Sequence, residues 1–313
     1  MKKLISLILV LLLASMLPAF AEESYKVGVC QLVQHTALDK AGLGFIDCLT
    51  EKLGSRVSFN LQNASGDSIN CIAIMNAFIA EEVDLILANS TPALQAAQAA
   101  TGDIPVLGTS VTDYASALGV EPWTGVTGQN ISGTSDLAQL DGQARLIAEL
   151  FPDAKTVALL YCTAEANSVY QVEVMQACLA ELGYESVLYG FTDSNDVASV
   201  AQNACINCDV LFVPTDNTVA SCAQSIRNVV EMEKKPVVGG DAAICALCGV
   251  ATICIDYYEL GYATGEMAYE ILVDGADISA MPIRFSAETI TVYNPELCQY
   301  LDVAVPEGAQ EVA

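Results

Sequence analysis

From Tyr25 onward, short runs rich in valine, isoleucine and leucine alternate with segments of helical period. Such runs suit strands buried on both faces, and a strand–helix–strand alternation joins parallel strands through right-handed crossovers. The candidate strands of the first half are Lys26–Gln31, Val57–Gln62, Leu85–Ala88 and Val106–Thr109. Those of the second are Thr156–Tyr161, Glu185–Tyr189, Val210–Val213 and Pro236–Gly239. Landmarks recur in the same chain order about 130 residues apart, which argues for a duplicated unit. Asp84-Leu-Ile-Leu-Ala-Asn-Ser90 parallels Asp209-Val-Leu-Phe-Val-Pro-Thr215, and Pro105-Val-Leu-Gly108 parallels Pro236-Val-Val-Gly239. Cys48-Leu-Thr-Glu-Lys-Leu-Gly54 likewise parallels Cys178-Leu-Ala-Glu-Leu-Gly183.

The expected fold is therefore α/β, with two Rossmann-like lobes built on parallel sheets and a gap between them. The turn-rich stretch Gly125–Thr134 is the natural first crossing between lobes. Beyond Gly249, a strand at Val250–Ile255, a helix at Tyr257–Leu272 and a strand at Thr289–Tyr293 would cross back to each half in turn. These signals divide the chain into a first lobe of residues 24–130 and 249–278, a second of residues 131–248 and 279–304, and an acidic tail at 305–313.

Charge narrows the partners. Lys and Arg number 12 against 38 Asp and Glu, a net charge of −26, so the field around the protein repels phosphate backbones and nucleic acid is excluded as a partner. His35 is the single histidine, which leaves little material for histidine-rich metal sites or for Ser/His/Asp and Cys/His catalysis. Neither a metal nor a cofactor is expected.

Residues 1–21 read as a secretory leader. Lys2 and Lys3 precede the apolar run Leu4–Leu13, and Ala19-Phe-Ala21 supplies the small-x-small cleavage pattern. That run is shorter than the ~20 residues a spanning helix needs. The first cysteine, Cys30, lies inside a buried strand and not at the cleavage point, so there is no lipobox. An exported soluble protein, periplasmic or extracellular, is expected. Export makes the twelve cysteines candidates for disulfides, although Cys30, Cys71, Cys162 and Cys254 sit where a small hydrophobe would serve. The pairs Cys205-Ile-Asn-Cys208 and Cys245-Ala-Leu-Cys248 have zinc-like spacing, but a long helix is predicted between them, which favours structural thiols or disulfides.

The residues that follow the candidate strands are hydroxyls, amides and acids. They are Gln34 and His35, Ser90 and Thr91, Ser110 and Thr112, Asn167 and Ser168, then Thr215, Asp216 and Asn217, and lastly Asp241. Ser135 and Asp136 add to them at the first crossing. Ser90-Thr91-Pro92 looks like a helix opening, whose free N–H groups accept an anion such as a carboxylate. Asp216 and Asp241, from the other half, suit an ammonium. An anion acceptor facing carboxylates fits a zwitterion, with Tyr170, Tyr257, Tyr258 and Trp123 available for an apolar wall. Taken singly, Ser135, Asp136 and Asn217 serve equally well as plain helix caps. Such clusters fall at strand ends of both halves, and capping alone gives no reason for them to face one another.

At these positions the sequence resembles the ABC transporter substrate-binding proteins of the tryptophan/tyrosine type. The resemblance runs through Gln31-Leu-Val-Gln-His-Thr-Ala-Leu-Asp39, Ser90-Thr-Pro-Ala93, Ser110-Val-Thr-Asp113, Gly133-Thr-Ser-Asp136, Glu165-Ala-Asn-Ser168, Pro214-Thr-Asp-Asn-Thr-Val219 and Asp256-Tyr-Tyr-Glu-Leu-Gly261. It implies a type I periplasmic-binding-protein architecture with a three-strand hinge and a ligand, often an aromatic amino acid, held between the lobes. It also implies an ABC permease as partner and a monomeric chain. The chain departs from the family pattern at Gln34 and Thr36, where glutamate and proline are usual. The rival readings are a two-lobed enzyme such as a cysteine-dependent amino-acid racemase, since Leu159-Leu-Tyr-Cys-Thr163 is similar to half of such a site, or a stand-alone ligand sensor.

Overall fold

A strand buried at every position needs a strand on each edge and helices on both faces, and the centre of each sheet is made of such strands. The structure is a computed structural model describing residues 23–286 and 288–312; the leader expected at 1–21 lies outside the described residues. In chain order, the first half comprises β1 (Tyr25–Gln31), α1 (Thr36–Leu53), β2 (Val57–Asn63), α2 (Ser68–Ala80), β3 (Leu85–Asn89), α3 (Thr91–Ala100), β4 (Val106–Val111), α4 (Tyr114–Leu118) and β5 (Ile131–Ser135). The second comprises α5 (Leu140–Leu150), β6 (Thr156–Cys162), α6 (Ala166–Glu181), β7 (Glu185–Phe191), α7 (Val197–Asn207), β8 (Val210–Val213), α8 (Asn217–Glu233), β9 (Val237–Gly239), α9 (Ala242–Cys248) and β10 (Ala251–Cys254). The chain ends with α10 (Tyr257–Leu272), β11 (Arg284–Phe285), β12 (Ile290–Tyr293), α11 (Pro295–Leu301) and β13 (Gln310–Glu311).

The six-stranded first sheet has the order β2-β1-β3-β4-β5-β11 and the seven-stranded second sheet β7-β6-β8-β9-β10-β12-β13. Every pairing is parallel except β10 with β12. The two halves share one winding, and the repeated landmarks do the same job in each. Asp84 accepts a hydrogen bond from the Lys26 amide at 2.7 Å, and Asp209 accepts from the Lys155 and Thr156 amides at 2.9 and 3.0 Å. Each aspartate thus pins the start of its half's first strand.

The chain crosses between the sheets three times, at places displaced from those expected. Residues 131–135, assigned to the second lobe, form β5 of the first sheet, so the first crossing is at 136–139. β5 is Ile-Ser-Gly-Thr-Ser, without the apolar run that marks a buried strand, yet all five residues are buried. Its hydroxyls are satisfied instead: Ser132 donates to the Met281 carbonyl at 2.9 Å, and Thr134 bonds Thr264 at 2.8 Å. Residues 251–254, assigned to the first lobe, belong to the second sheet, while β11, assigned to the second, pairs with β5 of the first. The expected acidic tail holds β13, paired with β12.

Helix α10 returns to the first half and lies against α1. The approach is close: a Cβ added at Gly261 would land on the Ala41 carbonyl oxygen, and one at Gly44 on that of Tyr258. All twelve cysteines are free thiols. Cys205 lies on α7 with Cys208 just past its end, Cys245 and Cys248 lie on α9, and among the described residues no group of three or more Cys, His, Asp or Glu is placed to hold a metal.

Candidate functional site

In a parallel sheet of this winding, the loops at the carboxyl ends of the strands face the crevice where the strand order reverses. Here residues that follow β1 and β8 meet across the gap between the two halves, where His35 Nε2 lies 3.2 Å from Asn217 Oδ1.

On the first side, Ser90 caps α3, its Oγ accepting from the Ala93 amide at 3.2 Å. Ser90 has φ 134° and Ser110 φ 55°, both in the left-handed half of backbone space that a serine enters only at a cost. Two such residues at adjacent strand ends mark a place where the surrounding structure enforces a shape. Thr112 Oγ1 donates to Asp136 Oδ1 at 2.8 Å, and the Tyr257 hydroxyl donates to Asp136 Oδ2 at 2.9 Å. Burial pushes the Asp136 carboxyl up to about 6 against those two donors, with the Asp241 carboxylate adding to the rise. Ser135 is taken up locally, donating to the Thr112 carbonyl and accepting from the Leu137 amide.

On the second side, Asp216 caps α8 and binds inward. It accepts from the amides of Val219 at 2.8 Å and Cys162 at 2.7 Å and from Ser168 Oγ at 2.8 Å. Burial, then the neighbouring Glu165, push its carboxyl up to about 8. Those bonds make Asp216 a staple between β6 and α8. Asp241 caps α9 through the Ile244 amide at 2.9 Å, and its carboxyl is raised by burial. Asn167 Nδ2 donates to the Thr215 carbonyl at 3.1 Å, and Thr215 N donates to Gln171 Oε1 at 3.0 Å.

Six buried side-chain atoms have no hydrogen-bonding partner among the described residues: His35 Nδ1, Asn89 Oδ1, Thr91 Oγ1, Ser110 Oγ, Gln143 Oε1 and Asn167 Oδ1. Buried polar groups are nearly always paired, so these six atoms, five of them close to strand–helix junctions and one on helix α5, have unused capacity for a partner. Four of them belong to residues expected from the sequence, and Asn89 and Gln143 do not. Asn89 closes β3, one residue before the serine taken as the strand end. Gln143 shares the buried face of α5 with Leu140, Ala144 and Ile147, and a polar residue in an apolar stripe is a signal that could have been read. Gln143 Nε2 donates to the carbonyls of Gly240 at 3.0 Å and Ile253 at 2.8 Å, which fixes the amide with its oxygen free.

Gln34 is not brought to the gap. It is exposed and lines a depression of about 420 Å3 between α1 and β2. Of the aromatic residues, Tyr257 is buried beside Asp136, and Tyr170 is half-buried with Asp113 of the first half near it. Tyr258 turns to Asp47 of α1 at 3.1 Å, and Trp123 is exposed. A larger cavity of about 500 Å3 opens outward between the halves, lined by Leu32, Pro92, Cys162, Glu165 and Asn217 among others. Burial, then Asp216, raise the Cys162 thiol above its ordinary value, the opposite of what a nucleophile or proton-transfer base needs.

The ABC transporter substrate binding protein family model matches residues 26–313. A tyrosine-binding protein of Clostridioides difficile is 35% identical over 286 residues, covering 90% of this chain and 82% of that protein. The ABC domain from Streptococcus pneumonia in complex with L-Trp superposes with a TM-score of 0.88 at 31% identity, over 93% of this chain and 100% of that one. A ligand-free, open substrate-binding protein with adhesive properties from Clostridium difficile gives 0.71 at 36% identity, over 92% and 99%.

Proposed function

Since the chain belongs to the ABC transporter substrate binding protein family, with the type I periplasmic-binding-protein fold, we propose that it is the exported capture component of an importer. Its solute is a small zwitterion, an aromatic amino acid, clasped in the gap between the lobes. The observation that carries this reading is the set of six orphaned buried polar atoms, contributed by both halves, together with the buried carboxyls of Asp136 and Asp241. Neither Asp136 nor Asp241 is paired with a lysine or an arginine, so an ammonium on the solute would meet carboxyls that have no cationic side-chain partner. The amino end of α3, at Ser90 and Thr91, suits the solute's carboxylate.

The relative standing of the lobes supports the same reading. The chain superposes better on the tryptophan-bound domain than on the ligand-free open protein, although the latter is the more similar in sequence. Closure here brings His35 against Asn217 and buries the polar cluster. A solute drives closure only by making contacts in the closed form that it lacks in the open one, and groups on both lobes meet that requirement. The three crossings act as the hinge, and the closed protein, a monomer, is presented to a membrane permease. Capture involves no chemical step: the raised thiol of Cys162 has no second thiol at Asn89-Ser90-Thr91 across the gap. Among the described residues no helix is long and apolar enough to cross a membrane.

Thermal unfolding of the purified protein with a panel of amino acids, nucleosides and sugars tests the proposal. A solute at a hundred times its Kd stabilises the native form by about 2.7 kcal/mol. L-tryptophan or L-tyrosine is expected to give the largest rise in midpoint. A rise with a sugar and none with any amino acid would end the zwitterion reading.

A further inference from the structure

Asn217 meets both lobes in one orientation only. Its Nδ2 lies 2.6 Å from Glu165 Oε2, and Glu165 also accepts from Asn217 N at 3.1 Å, Thr218 N at 2.8 Å and Thr218 Oγ1 at 2.7 Å. Surrounded by donors, this carboxylate cannot turn away, and it requires the NH2 side of the Asn217 amide. Oδ1 then faces His35 Nε2 at 3.2 Å. An amide oxygen only accepts, so the proton of that bond sits on Nε2. A neutral imidazole with Nε2–H carries a bare lone pair on Nδ1. His35 Nδ1 is buried and has no partner among the described residues, and Asp241 is close enough to sense the imidazole.

We propose that Glu165, acting through Asn217, holds His35 in the Nε2–H tautomer, so that Nδ1 stands as an acceptor for the solute and selects solutes bearing an ammonium. Glu165 is a positioning residue: its contacts are with Asn217, Thr218 and Asn167, and its effect on the solute is relayed across the lobes. The inference rests on the gap being the solute site. It adds a reason for discrimination between an amino acid and its amine-free analogue. A desolvated acceptor left without a donor penalises the analogue, whereas a solute ammonium satisfies it together with Asp241.

The single histidine makes the test direct, because ring-nitrogen NMR of protein labelled at histidine reports one imidazole. With L-tryptophan bound at neutral pH, Nε2 is expected to be protonated and Nδ1 to have the shift of a bare, hydrogen-bonded nitrogen. Titrations with L-tryptophan and with indole-3-propionate, which lacks the amine, should differ at least about tenfold in Kd. Glu165→Gln should mix the tautomers and shrink that ratio. Asn217→Ala, which leaves Glu165 capping α8 through Thr218, should do the same with the fold intact. Wild type that binds L-tryptophan with Nδ1 protonated overturns the proposal, as do variants retaining both the tautomer and the ratio. Wild type that binds neither L-tryptophan nor L-tyrosine overturns the functional reading itself and this inference with it.

Discussion

Replacing Asp136 with asparagine should stabilise the protein at neutral pH while weakening capture. Asp136 is buried, and burial lifts its carboxyl from 3.8 to about 6. At ~1.36 kcal/mol per pKa unit, keeping it ionised in the folded protein costs about 3 kcal/mol. Because the folded value lies above the unfolded one, the associated stability is fully present below pH 4 and is lost as pH rises through 6. Asparagine is isosteric and uncharged. One of the two hydroxyls now donating, on Thr112 or Tyr257, must rotate to accept from the new NH2 group, a loss of about 1 kcal/mol. The net gain at pH 7.5 is about 2 kcal/mol, or roughly 3 °C in midpoint for a chain of this size. Urea and thermal unfolding of both proteins from pH 4 to pH 8 would show a gap that opens with rising pH and closes near pH 4. A pH-independent gap, or a wild type that is the more stable at pH 7.5, would refute the assignment of Asp136 as a desolvated carboxylate. Calorimetry should show that Asp136→Asn binds L-tryptophan more weakly, because a charge that balances the ammonium is gone.

Ser110→Gly should raise the urea midpoint by the equivalent of about 1 kcal/mol, since glycine relaxes a φ of 55° that serine resists, and should lower affinity by removing an orphaned hydroxyl. Ser110→Ala keeps the strain and loses the hydroxyl, so it should weaken binding without relieving the backbone. Gly261→Ala should destabilise by at least about 3 kcal/mol in the same assay, because the added methyl lands on the Ala41 carbonyl and α1 and α10 must part; an unchanged midpoint would show that this helix pair is loosely packed.

Buried polar residues were legible where a polar residue comes soon after an apolar strand. Ser90, Thr91, Ser110 and Asn167 were singled out that way, and all four are buried. The same rule cannot say which of a carboxylate's oxygens is already engaged. Asp216 and Asp241 look alike in the sequence, each capping a helix after a strand, yet Asp216 spends its oxygens on Val219, Cys162 and Ser168. Gln34 and His35 are neighbours, and one residue of turn separates an outer-face position from one that reaches Asn217, 182 residues away. Glu165 looked like one letter of a motif; its role depends on four donors from α8, which only folding brings to it.

What the sequence determined alone was the duplicated α/β plan with two parallel sheets, because hydropathic period is a local property. It misplaced β5, β10 and β11, since a short polar strand such as Ile131–Ser135 is held by its neighbours' hydroxyls and carbonyls and not by its own hydropathy. The tertiary structure decided which polar atoms are satisfied and which are left over. That remainder depends on distances between segments more than a hundred residues apart, which no local pattern encodes.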